Sequence, residues 1–366
     1  MANAPSWIIF QLLEECNLRC SMCYEWGERG AYHQHKKTAK LDLNLVLKTV
    51  DECIANKPSY GKLNFEFFGG EPLLYPGIWE VIKRIRDGGC EIEFPTNGTL
   101  LKKFAKQLVD YHPTRLWISL DGPEGINDQQ RGRGVFQQVI EGLEELSALK
   151  KSKGSSSPEI GITYVVTAKN AQHVEPFFLE QIDLNMLNCI SIECQSYITG
   201  EQSHAYAELL RKKFAIQNTF YAQAYVRDPE VFASINIEHL TSQLARIAEV
   251  CKKQGILFHS QPKTLLAENF RNYFSAQWHK MIDRKSRCAV PWLAAEISAR
   301  GIVSTCHSFY DLPVGNINEQ SLLEIWRGDA LARVREHLRD SLFPICTACC
   351  RYYVGVGVLP GRTAST

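Results

Sequence analysis

The chain has 366 residues, and its 41 lysines and arginines almost balance its 40 aspartates and glutamates, leaving a formal net charge of +1 at pH 7. This balance argues against nucleic acid or an anionic membrane surface as the main partner, and no apolar stretch is long enough to span a membrane. Thirteen cysteines in a chain without an export signal favour metal ligation or catalysis in the reducing cytoplasm over a disulfide framework.

The first predicted element is an apolar strand at 7–13, and Cys16, Cys20 and Cys23 follow it directly in the run CNLRCSMCYEW. Three thiolates can hold three irons of a [4Fe–4S] cluster and leave the fourth iron without a protein ligand, because each cluster iron normally takes one cysteine. An iron left open in this way is a reaction site. The spacing alone also suits a zinc site or an electron-carrying cluster.

Short β-rich runs alternate with helical patterns through the first 200 residues, which predicts βα units around a parallel sheet. The six predicted strands are 7–13, 63–68, 91–95, 115–120, 160–167 and 188–195. We assign this core to residues 1–200. The following region is helix-rich and predicts a helical bridge or cap at 201–285. A cysteine- and aromatic-rich region then predicts a small auxiliary domain at 286–356, followed by a tail at 357–366.

Polar or glycine-rich clusters follow four of the predicted strands directly. After the cysteines come GGEP at 69–72, PTNG at 95–98 and SLDGP at 119–123. In parallel βα barrels the carboxyl ends of the strands converge on one rim, where the active site is built. We therefore expect these clusters to share one pocket.

The cysteine motif, the aromatic Tyr24 after it and GGEP together resemble the radical SAM superfamily. The resemblance covers about residues 7–197. It implies an α/β fold, a partial (β/α)6 TIM-like barrel with a helical bridge and a small C-terminal auxiliary cluster domain. It also implies that S-adenosylmethionine (SAM) binds the open iron of the cluster through its amino and carboxylate groups. The accompanying TNG and SLDG motifs favour this interpretation over zinc or a plain redox cluster.

The same resemblance implies a set of SAM contacts. The candidates are Tyr24, Gly69, Gly70, Glu71, Pro72, Asn97, Ser119, Arg131 and Gln195. The GGEP segment is expected to receive the amino group, since paired glycines let the backbone approach a ligand and a carbonyl or the Glu71 carboxylate can accept from an ammonium. Tyr24 would lie near the adenine, and Ser119 and Arg131 would hold ribose or carboxylate. For Asn97 a turn or capping role is the equal alternative.

A second group of cysteines lies near the C-terminus. The candidate ligands are Cys288, Cys306, Cys346 and Cys349, with Cys350 adjacent to the last. The arrangement resembles the SPASM and twitch auxiliary domains of radical SAM enzymes and implies a second, auxiliary [4Fe–4S] cluster. The chain lacks the further cysteines of the longer SPASM pattern, so the one-cluster, twitch-like form is expected. A structural zinc site is the alternative, and spacing leaves the choice between Cys349 and Cys350 open. The remaining cysteines, in apolar patterns, are expected in the core: Cys53, Cys90, Cys189, Cys194 and Cys251.

The expected activity is reductive cleavage of SAM to a 5'-deoxyadenosyl radical that removes a hydrogen atom from a substrate. Only fifteen residues precede Cys16, which favours a small molecule of natural-product, sugar or nucleoside type over a leader-bearing peptide. Oxidation, epimerisation or decarboxylation, of oxidoreductase or lyase type, would follow. The alternatives are a ribosomal peptide or protein side chain as substrate and, in another class, a non-catalytic iron–sulfur electron carrier. A flavodoxin- or ferredoxin-type electron donor is expected, and no catalytic side chain is identified.

Overall fold

The structure is a computed structural model that describes residues 4–33, 35, 37–58, 62–284, 287–306 and 310–349. The predicted tail at 357–366 and Cys350 lie outside the described residues. Ten strands lie within them, and each has the following bounds: β1 (Trp7–Leu13), β2 (Asn64–Gly69), β3 (Glu91–Thr96), β4 (Arg115–Ser119), β5 (Glu159–Val166), β6 (Cys189–Cys194), β7 (Leu257–Gln261), β8 (Ala294–Ile297), β9 (Ile302–Ser304) and β10 (Pro313–Asn316).

All ten strands belong to one sheet, in the order β10-β9-β8-β1-β2-β3-β4-β5-β6-β7. Strands β1 to β7 pair in parallel with their neighbours, and β8 adds to the other edge of β1, also in parallel. Strands β9 and β10 continue the sheet in antiparallel fashion. The auxiliary region is therefore joined to the core through backbone hydrogen bonds to the first strand.

Helices connect and cover the parallel strands. Their bounds are α1 (Leu43–Ala55), α2 (Ile78–Asp87), α3 (Leu101–Tyr111), α4 (Glu124–Arg131), α5 (Val135–Lys153), α6 (Val174–Pro176), α7 (Gly200–Phe214), α8 (Phe220–Gln223), α9 (Ile237–Gln254), α10 (Ala267–Phe274), α11 (Leu322–Arg327) and α12 (Asp329–Asp340). Side chains cap several of the longer ones, such as Asp42 on α1 and the capping box of Thr199 and Gln202 on α7. These caps satisfy amide groups that the first helical turn leaves without an intrahelical partner.

The two faces of the sheet differ in character. Because successive strand side chains point to opposite faces, Ile8 and Phe10 of β1 lie on the face that packs against the helices and forms the main core. Trp7 and Ile9 lie on the other face, where they form a separate small apolar cluster with Ala294. In a barrel-like βα fold the helices cover the outside, so the second face, here called the inner face, lines the barrel interior.

All six predicted strands are confirmed, as is the predicted α/β class. The range 201–285, predicted as a helical bridge, also contains β7, which extends the parallel sheet beyond β6. Sequence periodicity missed β7 because its run LFHSQ is short and polar at three successive positions. Cysteines 53, 90, 189, 194 and 251 are buried, as expected. Among the described residues, no helix combines the length and apolar composition needed to cross a membrane.

Candidate functional site

The loop after β1 presents Cys16, Cys20 and Cys23, and backbone amides point at sulfur atoms of the loop. The N–H of Leu18 donates to Cys16 Sγ at 3.4 Å, and the N–H of Trp26 donates to Cys23 Sγ at 3.3 Å. Hydrogen bonds to sulfur are one means by which a protein stabilises and tunes cluster thiolates. The loop therefore supplies hydrogen-bond donors as well as sulfur ligands.

The chemistry of these thiols fits an iron–sulfur cluster. Burial raises the pKa of Cys16 and of Cys23 to about 12, and it raises the pKa of Cys20 against the opposing effect of the Arg131 guanidinium. The thiols therefore lose their protons when metal binds. Within the ranges that the structure describes, no three His, Cys, Asp or Glu side chains converge closely enough to hold one metal ion. In a cluster each thiolate binds an iron of its own, and three cysteines on one loop can serve as such ligands.

The GGEP segment packs directly against the cysteine loop. A Cβ atom on Gly70 would overlap the backbone carbonyl of Glu15, and the Glu71 N–H donates to that carbonyl at 2.9 Å. Gly69 has a φ of 96°, and a Cβ atom there would overlap the side chain of Gln11. The two glycines are therefore required to dock the end of β2 onto the loop that follows β1.

The Glu71 carboxylate is fully buried, with 0% exposure, and it accepts three hydrogen bonds. The donors are the Leu73 N–H at 3.0 Å, the Thr96 hydroxyl at 2.8 Å and the Asn97 N–H at 2.8 Å. Burial raises the pKa of Glu71 to about 7, against these three bonds. The carboxylate thus ties GGEP to the end of β3. Of the two acceptors expected for an ammonium group, the half-buried backbone of the two glycines is the accessible one.

Asn97 has the turn role that is the alternative to a SAM contact, and it also reaches the cysteine loop. Its Oδ1 accepts from the Thr99 N–H at 3.0 Å and from the Thr99 hydroxyl at 2.7 Å. Its Nδ2 donates to Asn17 Oδ1 at 2.8 Å and lies 3.9 Å from Cys16 Sγ. The TNG turn therefore supports the first cysteine from the side of β3.

Arg131 connects the end of β4 to the same loop. Its Nε lies 2.7 Å from Asp121 Oδ2, and both side chains are buried. Nearby, the Ser21 N–H donates to the Gln130 carbonyl at 2.8 Å. The guanidinium is thus fixed by an internal carboxylate beside Cys20, where a positive charge stabilises thiolates.

The other candidate contacts differ in how deeply their side chains are buried. Tyr24 stacks on Tyr225 with ring centroids 4.7 Å apart and on Phe68 at 6.4 Å. Ser119 ends β4 and Gln195 follows β6, and both are half-buried at the carboxyl ends of their strands. Pro72 is buried at the start of a short turn of 3-10 helix, Pro72–Leu74.

The C-terminal cysteines are also close together. Burial raises the pKa of Cys346 to about 12, and the neighbouring Cys288 thiol adds to that shift. Burial likewise raises the pKa of Tyr206, with added effects from Asp311 and then from Cys306 and Cys346. The Cys349 N–H donates to the Cys346 carbonyl at 3.2 Å. These contacts bring Cys288, Cys306 and Cys346 into one region, and Cys349 follows Cys346 by three residues; all four cysteines are half-buried.

Two buried polar contacts near the cysteine loop were missed from sequence. Gln11 of β1 donates to the Glu25 carboxylate at 2.7 Å and to the Tyr32 hydroxyl at 3.0 Å. Glu14, which is 1% exposed, accepts from Arg300 at 2.8 and 3.0 Å. The Gln11 contacts could have been suspected from sequence, because a glutamine lies inside the apolar run WIIFQLL. The ion pair of Glu14 with Arg300 joins residues that are too far apart in sequence for a local pattern to reveal.

The radical SAM superfamily model matches residues 11–170, and the model of an iron–sulfur cluster-binding domain, SPASM, matches residues 288–350. The chain belongs to the radical SAM superfamily. It is a radical SAM enzyme with a SPASM domain. Its cofactors are SAM, a [4Fe–4S] cluster and an additional iron–sulfur cluster in the SPASM region. The resemblance inferred from the motifs is thereby confirmed.

Characterised relatives are similar to this chain over different lengths. A tungsten-containing aldehyde ferredoxin oxidoreductase cofactor-modifying protein of Pyrococcus furiosus is 21% identical, covering 94% of this chain and 86% of that protein. An AdoMet-dependent heme synthase of Methanosarcina barkeri is 33% identical over 40% of each chain. A GTP 3',8-cyclase of Alkaliphilus metalliredigens is 31% identical over 47% of this chain and 51% of the cyclase. The last two matches span about half or less of those relatives.

Two solved structures share the fold. Streptococcus suis SuiB bound to S-adenosylmethionine superposes with a TM-score of 0.62 at 14% identity, covering 94% of this chain and 72% of SuiB. The AdoMet-bound anSMEcpe superposes with a TM-score of 0.60 at 18% identity, covering 92% of this chain and 80% of that protein. At these identities the likeness establishes the partial-barrel fold and no more.

Proposed function

We propose that Cys16, Cys20 and Cys23 hold the SAM-binding cluster and that the chain generates a radical for substrate chemistry. When bound, such a cluster supplies an electron that splits SAM and yields a 5'-deoxyadenosyl radical. The observation that supports this assignment is a loop of three half-buried cysteines, with N–H groups donating to sulfur and Arg131 beside Cys20. Cys288, Cys306, Cys346 and Cys349 are the proposed ligands of the auxiliary cluster.

The proposed SAM contacts follow from the accessible groups around that loop. The backbone of Gly69 and Gly70 would accept from the amino group, while Glu71, Pro72 and Asn97 position that segment. Tyr24 would lie against the adenine, and Ser119, Arg131 and Gln195 would hold ribose or carboxylate. Around the reacting carbon, the chain's own part is to orient the substrate and to exclude water.

We propose a small-molecule substrate and a net oxidation, epimerisation or decarboxylation. The names of the relatives support this choice, since they refer to a cofactor-modifying protein, a heme synthase and a GTP cyclase. The polar inner face of the sheet also suits a compact polar ligand. The auxiliary cluster would either take up an electron from the substrate or support the local fold. The proposed division is a core at 1–200, a bridge at 201–285 and an auxiliary domain at 286–356.

A peptide substrate is the second candidate, and structural neighbours favour it. SuiB has been captured with its precursor peptide SuiA, at a TM-score of 0.59, and anSMEcpe with the Cp18Cys peptide, at 0.58. These likenesses extend to the fold, which hosts many functions. The small-molecule proposal therefore stands first.

The deciding experiment measures 5'-deoxyadenosine in reconstituted protein, reduced without oxygen in the presence of SAM and a flavodoxin-type donor. The wild type should form 5'-deoxyadenosine, and replacement of Cys16, Cys20 and Cys23 by alanine should abolish it while about four irons per chain remain. Replacing the buried core residue Cys251 by alanine provides the matched control. An electron carrier would give no 5'-deoxyadenosine in any variant.

A further inference from the structure

The register of β6 and β7 places two polar side chains next to each other on the inner face. Glu193 pairs with Gln261, and two residues earlier Ser191 pairs with His259. The intervening residues, Ile192 and Ser260, lie on the opposite face by the alternation of strand side chains. Glu193 and Gln261 are near the carboxyl ends of their strands, at the rim where parallel βα folds bind their ligands.

Among the residues that the structure describes, the buried side chain of Gln261 has no hydrogen-bond partner. It is 2% exposed, and neither Oε1 nor Nε2 is paired within this part of the chain, whereas the neighbouring Ser260 hydroxyl donates to the Pro262 carbonyl at 2.8 Å. Burying an unpaired amide is costly, and native proteins pair most such groups. A buried, unpaired amide at a ligand-binding rim therefore indicates that a polar group of the ligand hydrogen-bonds to it.

Among the described strand residues, carboxylates outnumber basic side chains on the inner face. By register, the described carboxylates on this face include Glu66, Glu93, Glu193 and Glu296, and Arg115 is a guanidinium among them. Arg115 already pairs with Glu159 and lies 3.6 Å from Glu93. Such a surface attracts cations and repels anions, more strongly where water is scarce.

We propose that Glu193 and Gln261 form a clamp for an ammonium group and a neighbouring hydroxyl or carbonyl of the substrate, an amino-alcohol or amino-carbonyl unit. The Glu193 carboxylate and Gln261 Oε1 accept from the ammonium, and Gln261 Nε2 donates to the neighbouring oxygen. Ser191 holds the carboxylate through a hydrogen bond to Glu193 Oε1 at 3.2 Å. This inference rests on the proposed function and narrows its substrate class to amines.

The same chemistry occurs in a free amino sugar and at the N-terminus of a peptide, where the α-ammonium lies next to the carbonyl of its own residue. Binding is therefore measured on reconstituted protein with SAM, using D-glucosamine and L-alanine methylamide as the two amine probes. D-glucose and D-glucose 6-phosphate serve as uncharged and anionic comparisons. We expect at least one amine probe to bind the wild type more tightly than glucose, and the phosphate to bind more weakly. The amine that binds identifies the source.

Two variants test the clamp. Gln261→Met and Glu193→Gln should each weaken amine binding about tenfold or more, since each removes hydrogen bonds to a charged group. The exposed residues Gln254 and Glu144 provide matched controls as Gln254→Met and Glu144→Gln, which should bind as the wild type does. Gln261→Met should also raise the melting temperature, by about 2–4 °C, because the unpaired amide is gone.

Three results would overturn the clamp: binding of neither amine, equal amine binding in the wild type and both variants, or a lower melting temperature for Gln261→Met. The cleavage of SAM without substrate is measured on the same samples. It should persist in both variants, because neither residue is placed at the cysteine loop. If cleavage is absent even in the wild type, the proposed function fails, and the probe measurements still judge the clamp.

Discussion

At the scale of single residues, the site depends on a few positions where a side chain would not fit. Gly70 shows this most clearly, because the Glu15 backbone, next to Cys16, occupies the volume that a Cβ atom at position 70 would need. A flexible side chain could yield to such an overlap, but a backbone carbonyl in a hydrogen bond with Glu71 cannot do so without moving the loop. The glycine therefore fixes the distance between β2 and the first cysteine.

Gly70→Ala should lower the free energy of unfolding by about 1–3 kcal/mol or more, since forced overpacking must displace the loop. It should also reduce iron bound at the N-terminal site, measured by iron analysis after reconstitution beside thermal unfolding. Gly125→Ala is the control, because no atom from other parts of the described structure lies within 4 Å of its Cβ position in α4. That variant should be neutral or slightly stabilising. Equal stability and iron content in the two variants would contradict this role of Gly70.

At the scale of elements, α8 illustrates a short helix held by a distant residue. The Asp311 carboxylate accepts from the N–H groups of Tyr221 and Ala222, each at 2.8 Å. These are first-turn amides, which need an external acceptor. A four-residue helix has little stability of its own, so Asp311 anchors the bridge to the segment that follows Cys306.

Asp311 also makes a pH-dependent contribution to stability. Burial raises its pKa from 3.8 to about 6, against the two N–H donors. Between these values the folded state binds more protons than the unfolded state, so the contribution of Asp311 to stability falls as pH rises from about 4 to about 6. Relative to Asp311→Asn, the wild type should lose about 2–4 kcal/mol across this window.

The measurement is chemical unfolding of both proteins at several pH values, because the difference between them cancels other titrating groups. A wild type that gained stability relative to Asp311→Asn over the same window would show that the two donors outweigh burial. A difference independent of pH would mean that the pKa of Asp311 is the same in the folded and unfolded states.

The sequence predicted elements wherever one local pattern was sufficient. The strands from β1 to β6 are apolar runs between helical patterns, and the cysteine loop is contained in eight consecutive residues from Cys16 to Cys23. Strand β7 was missed, since its inner-face residues His259 and Gln261 are polar and an edge strand needs little apolar surface. Burial of the Glu71 side chain was not predicted either, because its donors at Thr96 and Asn97 belong to the next βα unit.

At the scale of the whole molecule, the two groups of cysteines flank different strands of one sheet. We expect each group to bind its own iron–sulfur cluster independently of the other. Cys288→Ala and Cys306→Ala should each remove auxiliary iron, which lowers iron content towards four per chain by the one-cysteine-per-iron rule. Some SAM cleavage should remain. Iron analysis and the yield of 5'-deoxyadenosine check this, with Cys53→Ala, a buried core position, as the control. Unchanged iron in both auxiliary variants would favour zinc or an empty site.

The ion pair between Glu14 and Arg300 makes the two halves of the molecule interdependent. Glu14 directly follows β1 at the start of the cysteine loop, and Arg300 lies in the turn between β8 and β9, beside the auxiliary region. The pairing of β8 with β1 brings these segments together. Because Glu14 is 1% exposed and Arg300 is 44% exposed, removal of the arginine leaves a buried carboxylate with the Ala39 N–H as a remaining donor at 2.9 Å.

Arg300→Met should therefore lower the free energy of unfolding by about 1–3 kcal/mol, less than the loss for a fully buried pair because the arginine is partly solvated. The exposed Arg333, changed to methionine, is the control. The double variant Glu14→Gln with Arg300→Met should recover part of the loss, since the unpaired charge is removed. Without that recovery, Arg300 would stabilise through packing alone. Iron analysis on the same samples should show reduced loading at the N-terminal site for Arg300→Met, because the loop that carries Cys16 begins at Glu14.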